Sequence, residues 1–213
     1  TLIAKMGLWN KKWDIVIDAC ENVREVYGDL SQYPLSDIPF SQKNTPESIL
    51  EIQHVYNVGG TQYYSNLAPR CIPPKSVDGD KTYFGGVEIP ELGSKARSLS
   101  GTIRPNKSFL GIQGRNSGDI RAHVNMAWGY GGKEFTGVST RPYLGPKFWC
   151  PDMVDTSDGN NYKLFRYADA ILMLAECHAR SISADLDTAT DYMNMTRVRA
   201  GLDPLPSGTY NDS

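Results

Sequence analysis

Residues 162–202 read YKLFRYADAILMLAECHARSISADLDTATDYMNMTRVRAGL, and this stretch most narrows what the chain can fold into. Leu164, Ala168, Ile171, Leu172 and Ala175 recur at three- and four-residue steps, the spacing that stacks side chains along one helix face. Leu186, Ala189, Met193, Thr196 and Ala200 repeat the pattern. Ser183 and Asp185 lie where an N-cap accepts the free amide hydrogens of a first turn. Gly201 is placed as a stop, because glycine takes the left-handed cap conformation without steric cost. The segment therefore predicts two antiparallel helices with a short join. Such a hairpin leaves one face uncovered and needs a neighbour.

A second helical pattern opens the chain. Residues 1–9 read as the tail of one helix. Trp13, Val16, Ile17, Cys20, Val23 and Tyr27 hold the same spacing through residues 11–27, and Gly28 ends it. Helix, Asn10 turn, helix, with a Trp and small residues, resembles one tetratricopeptide-type unit. One unit is not an array, since such stacks need several neighbours. Thr1 opens mid-helix, so the chain reads as an excised piece.

Between these helical ends the sequence is loop-rich. Most of the 20 glycines and 13 prolines fall between Tyr33 and Pro151. Pro34 and Pro39 block helix in a turn-rich connector. Residues 47–56 predict a short strand, with Ile49, Leu50, Ile52 and Val55 supplying burial. Ile89–Leu99 suggests a short helix, and the Gly-, Asn- and Ser-rich run 101–119 gets its order from packing elsewhere. Ala122–Trp128 ends in WGYGG, a flexible aromatic loop. RPYLGPKFWCP at 141–151 cannot be a regular helix.

At 213 residues with 40% hydrophobic and 22% charged content, the chain is an ordinary globule with ample core. Its net charge of −2 argues against nucleic-acid binding, which calls for a basic face. No apolar run approaches the length of a membrane span, and no signal peptide is present. Cys20, Cys71, Cys150 and Cys177 form no CxxC pair and no metal spacing with the histidines. Cys20 and Cys177 fall on apolar helix faces, where a thiol acts as a small hydrophobe. Cys71 and Cys150 lie in loops and would pair only in an oxidising compartment.

The terminal hairpin resembles the SusD/RagB family. Its signature is met at Phe165, Arg166, Tyr167, Ala168, Leu172, Ala175 and Glu176, then at Tyr192, Asn194, Arg197, Arg199, Ala200 and Gly201. PESILEIQ at Pro46–Gln53 and GDIR at Gly118–Arg121 resemble further family elements in the expected order. The resemblance implies a mainly α fold of tetratricopeptide-like helical hairpins, carrying a long, loop-rich, partly irregular insertion and few short strands. It implies a single domain over 1–213, with a helical-repeat remnant at 1–30, a ligand-binding region at 31–160 and a hairpin and tail at 161–213. It also implies a surface lipoprotein of a Bacteroidetes-type outer membrane, whose signal and lipid anchor lie outside this chain. Such a protein captures a glycan or other nutrient without catalysis or cofactor and passes it to a TonB-dependent transporter.

The family binds different glycans with different loop residues, so candidate contacts come from chemistry alone. Sugars present flat C–H faces edged by hydroxyls, which suit an aromatic ring beneath and amide, carboxylate or guanidinium groups at the rim. Trp128, Tyr130, Tyr143, Phe148 and Trp149 are loop aromatics of this kind, with Tyr63 and Tyr64 behind them. Asn125, Arg141, Asp152 and Asn66 are candidate rim groups. The plainer reading is that such rings anchor loops onto the helices. The site expectation rests on Trp128, Tyr130, Tyr143, Trp149, Asn125 and Arg141.

Catalytic patterns are weak. Glu176 and His178 lie two apart and face different ways on a helix. His54 reads as structural, and His123 has no nucleophile elbow beside it. Residues 152–161 are acidic but do not fit a twelve-residue calcium loop. Gly132–Lys133 is followed by Glu134 where a P-loop needs Ser or Thr. Arg197 and Arg199 are expected to meet loop or helix-end carbonyls. The rival readings are a scaffold that docks the transporter without a ligand of its own, and a glycan hydrolase.

Overall fold

The computed structural model describes residues 1–55, 58, 67, 83–84, 86–89, 101–115, 117–136, 141–150 and 159–209. In chain order the elements are α1 (Leu2–Trp9), α2 (Trp13–Tyr27), β1 (Ser48–Ile52), β2 (Tyr83–Phe84), β3 (Val87–Glu88), α3 (Lys107–Ile112), α4 (Arg121–Asn125), β4 (Met126–Ala127), β5 (Gly129–Tyr130), β6 (Lys133–Glu134), β7 (Tyr143–Leu144), β8 (Tyr162–Arg166), α5 (Tyr167–Arg180) and α6 (Leu186–Arg199). The fold is mainly helical with short strands, as expected. Among the described residues no helix is long and apolar enough to cross a membrane. The chain divides into two compact units.

The first unit comprises Thr1–Asp37, Asn44–Glu51 and Lys163–Ser213. Its core joins α1, α2 and α5 through Ala4, Val16, Cys20, Ile171, Leu174 and Cys177. Small residues at these positions let the helices approach closely, and the buried aliphatics supply the hydrophobic gain of about 25 cal/mol per Å² of apolar surface removed from water. Gly28 ends α2 with φ +74°, and Gly201 follows α6 with φ +76°, as the caps in the sequence require. Asp185 caps α6 by accepting from the Thr188 amide at 3.0 Å. Beside the core, Tyr167 stacks on Tyr27 with centroids 5.1 Å apart and meets the edge of Tyr33. Its hydroxyl donates to the Gly28 carbonyl, and burial pushes its pKa up to about 12.

Three expectations for this unit are corrected. The first helix of the terminal hairpin does not begin at Tyr162. Residues 162–166 form β8, which pairs with β1; Tyr162 and Phe165 suit a pleated strand. The helix starts at Tyr167, where the Asp169 carboxylate accepts the Arg166 amide hydrogen at 2.9 Å. Leu164, Leu172 and Leu186, expected in the apolar stripe, are exposed. The buried side of α5 is instead built on Ala168, Ala170, Ile171, Met173, Leu174 and Cys177.

The third correction concerns β1, which is shorter than expected and inverted in polarity. Leu50, Ile52 and Val55 are exposed, whereas Glu47 and Glu51 are buried. Glu51 faces the Lys163 ammonium at 3.7 Å, both side chains 1% exposed. Lys163 also donates to the Asp37 carbonyl at 2.8 Å. Burial pulls the Lys163 pKa below its usual value, against the opposing pull of Glu51. Glu47 Oε1 meets Arg166 at 3.5 Å and Arg199 at 3.0 Å. Glu51 within the strand and Glu47 just before it are both buried, where cations from β8 and α6 meet them. Hydrophobicity alone gave the wrong face.

The second unit comprises Ile38–Lys43 and Ile52–Tyr162. Its core is Val87, Ile89, Ala127, Phe135, Tyr143, Trp149 and Cys150, with Tyr130 packed against it. Strands β4 and β7 pair antiparallel, Met126 opposite Leu144 and Ala127 opposite Tyr143. The run 101–119 holds a helix that its composition conceals: α3, capped by Asn106, whose side chain accepts from the Ser108 amide. The helix suggested over Ile89–Leu99 falls, beyond Ile89, outside the described residues. The calcium candidate at 152–161 does so through 158, and Cys71 also lies outside them.

Candidate functional site

WGYGG is not a loose loop but the start of a tight hairpin. Strands β5 and β6 pair with Gly129 opposite Glu134 and Tyr130 opposite Lys133. The two turn residues, Gly131 and Gly132, have φ +57° and +79°, the left-handed pair that a two-residue hairpin turn needs and that glycine adopts without strain. A Cβ on Gly129 would come within 2.1 Å of the Lys133 carbonyl oxygen, so no side chain fits there. The Phe135 amide donates to the Trp128 carbonyl at 2.8 Å and closes the base. The glycines that suggested mobility are what permit this order.

The hairpin forms one wall of a groove of about 470 Å³, which Trp128, Tyr130, His123, Arg115 and Trp149 also line. That volume falls within the roughly 300–1,000 Å³ of small-molecule sites. Trp128 and Tyr130 are half-buried. Trp149 is 7% exposed; its indole N–H donates to the Leu144 carbonyl at 3.1 Å, and its ring lies 6.4 Å from that of Tyr130. The His123 ring stands edge-on to Trp128 with centroids 6.3 Å apart. The Arg115 guanidinium lies 5.9 Å from the centre of the Trp128 ring and 2.5 Å from the Glu134 carboxylate. The groove thus offers aromatic surface inside and charge at its rim.

Of the six expected site residues, the structure brings Trp128, Tyr130 and Trp149 together along this groove. It places the other three in packing and hydrogen bonding. Tyr143 is 2% exposed, with the Arg104 guanidinium 4.0 Å over its ring and the Phe135 ring against it. Arg141 donates to the carbonyls of Pro105 and Arg104, and Arg104 donates back to the Arg141 carbonyl. Asn125 donates to Gln113 at 3.0 Å, and Gln113 donates to Asp119 at 2.9 Å. Phe148 packs on Phe40 with centroids 5.7 Å apart. Tyr63, Tyr64, Asn66 and Asp152 lie outside the described residues.

Asp119, in the GDIR element, anchors the start of α4, from which β4 and the hairpin follow. It accepts from the Arg121 amide and guanidinium. Burial would raise its pKa, but the hydrogen bonds and charge of Arg121, with that of Gln113, hold it below the usual carboxylate value. His54 has a structural setting: its ring nitrogen Nδ1 contacts the Asn160 carbonyl at 2.9 Å, and its amide donates to Asn161. Arg197 donates to the Asp203 carbonyl, as expected of a helix-end arginine; Arg199 donates to the Tyr33 carbonyl at 3.4 Å and also meets the Glu47 carboxylate. Among the described residues no three His, Cys, Asp or Glu side chains are grouped to hold a metal.

Sequence reasoning passed over the rim. Lys133, Glu134, His123 and Arg115 match no sugar-binding pattern of their own in the sequence. The one available signal was the interleaving of charge with aromatics in HVNMAWGYGGKE at 123–134.

The model of the SusD family matches residues 120–213. No curated protein matches the chain. Among solved structures, surface glycan-binding protein A from Bacteroides uniformis superposes with a TM-score of 0.61 at 20% identity, over 96% of this chain and 42% of that one. A SusD superfamily protein from Bacteroides vulgatus gives 0.58 at 21% identity, covering 94% and 42%. A laminarin-binding SusD-like protein gives 0.52 at 19%, covering 97% and 47%. These likenesses are of fold, and the chain spans less than half the length of each.

Proposed function

We propose that this chain, whose residues 120–213 match the SusD family model, captures a glycan without catalysis, in the groove walled by the 129–134 hairpin. The observation that carries the reading is the meeting of Trp128, Tyr130 and Trp149 along one open groove. Half-buried rings supply flat apolar faces for the C–H surface of a pyranose, and the polar rim supplies hydrogen bonds. Two proteins of similar fold, a surface glycan-binding protein and a laminarin-binding one, support the same class of ligand. The chain acts at the outer-membrane surface, where a TonB-dependent transporter receives the captured oligosaccharide.

Electrophoresis through gels loaded with different polysaccharides tests this reading. Retardation by at least one glycan, abolished in Trp128→Ala, is the expected result. Unretarded migration in every gel would favour a scaffold that only docks the transporter, and release of reducing ends would favour a hydrolase.

A further inference from the structure

The rim of the groove is cationic and already holds a carboxylate. Among the described residues that line it, Arg115 and Lys133 are the basic side chains besides His123, and Glu134 is the acidic one. Glu134 is engaged by Arg115 at 2.5 Å across an exposed pair, whose side chains are 50% and 66% exposed. Lys133 is exposed and makes no ion pair among the described residues. It stands directly opposite Tyr130 in the hairpin, so its position is fixed by the same glycines that build the groove wall. A guanidinium matches a carboxylate through two parallel N–H bonds, whereas an ammonium serves as an adaptable point charge. Exposed ion pairs exchange partners readily because water screens them.

From this arrangement we infer that the groove selects saccharides bearing a carboxylate, uronic-acid oligosaccharides above all. The sugar ring lies on Trp128 and Tyr130. Its carboxylate takes the place of Glu134 on Arg115, and Lys133 completes the charge neutralisation. The chain as a whole carries −2, so long-range attraction does not supply this preference. It is local to the rim. The inference rests on the proposed capture site and narrows its ligand.

The test is calorimetry of the full chain with a panel of uronate oligosaccharides, each against its methyl ester, which keeps the ring and removes the charge. The free acid is expected to bind at least about tenfold tighter, with the advantage shrinking as salt rises. Lys133→Gln and Arg115→Gln should each lower the acid's affinity several-fold more than the ester's, so that the advantage is erased. Glu134→Gln should tighten the acid several-fold, because Arg115 loses its internal competitor. Equal affinity for acid and ester, or an acid preference that survives Lys133→Gln and Arg115→Gln, overturns the inference but leaves glycan capture standing. Tight binding of sulfated oligosaccharides in preference to uronates overturns the carboxylate assignment. No binding of any oligosaccharide, charged or neutral, overturns this inference and the capture reading together.

Discussion

Arg199, the arginine of the Arg-Ala-Gly that closes α6, lies 3.0 Å from the buried carboxylate of Glu47. Arg166, just ahead of α5, approaches the same oxygen at 3.5 Å. Glu47 also offers its backbone carbonyl to the Tyr167 amide at 2.9 Å. One glutamate thus ties together residues 119 and 152 positions downstream, and the Arg-Tyr-Ala and Arg-Ala-Gly segments read physically as a buried electrostatic clasp.

Because Glu47 is 1% exposed, removing one partner strands a charge. Arg199→Met should destabilise the protein by about 3 kcal/mol, the scale for breaking a buried pair. The double variant Glu47→Leu/Arg199→Met should recover part of that loss, since the buried carboxylate is gone and the remaining Arg166, 20% exposed, reaches water. Urea unfolding of the three proteins measures both numbers; a double variant no better than the single would mean that a stranded Glu47 charge is not what Arg199→Met costs.

The core and groove aromatics should separate cleanly. Tyr143→Ala removes a ring that is 2% exposed and should cost about 3–5 kcal/mol of stability, as buried aromatic deletions do. Tyr130→Ala lowers oligosaccharide affinity while costing less stability, because the ring is only half-buried. Thermal unfolding and binding titrations on the same preparations distinguish the two.

Acid should loosen the anchor of α4. The Asp119 carboxyl is held below its usual value by Arg121. A carboxyl with a depressed folded-state pKa contributes stability above its unfolded value of about 3.9 and loses it as pH falls through the folded value. Stability measured from pH 6 downward should therefore fall more steeply in the wild type than in Asp119→Asn, with the difference confined to the region below about pH 5. Parallel acid limbs would contradict this.

The first-unit thiols should be silent in the native state. Burial raises Cys20 to about 11 and Cys177 to about 12, so thiolate is scarce at neutral pH. Neither should react with a thiol reagent at pH 8 until denaturant is added. Rapid native labelling of either cysteine, located by mass spectrometry, would contradict the packing of α2 on α5.

The helices were legible because their signals are local: a three-and-four apolar spacing, Asp185 as a cap, and Gly28 and Gly201 as stops. The start of α5 was misplaced because Tyr162–Arg166 satisfies strand and helix preferences alike, and pairing with β1, more than 100 residues away, decides it. The polarity of β1 was illegible for the same reason, since Glu47 and Glu51 turn inward toward cations supplied by distant segments. At the groove, chemistry singled out the loop aromatics but could not separate Trp128 from Tyr143; that distinction depends on which ring Arg104 and Phe135 cover. Gly129, Gly131 and Gly132 suggested mobility because composition does not reveal that a hairpin register and a 2.1 Å approach to Lys133 demand them.

Isothermal titration of oligosaccharides into the wild type and Trp128→Ala tests the capture reading most directly. Saturable binding in the wild type, weakened at least about tenfold in Trp128→Ala in line with the roughly 1–3 kcal/mol of an aromatic stacking contact, is the predicted result. Wild-type affinity retained in Trp128→Ala, with the fold intact by circular dichroism, would contradict the assignment of this groove as the site.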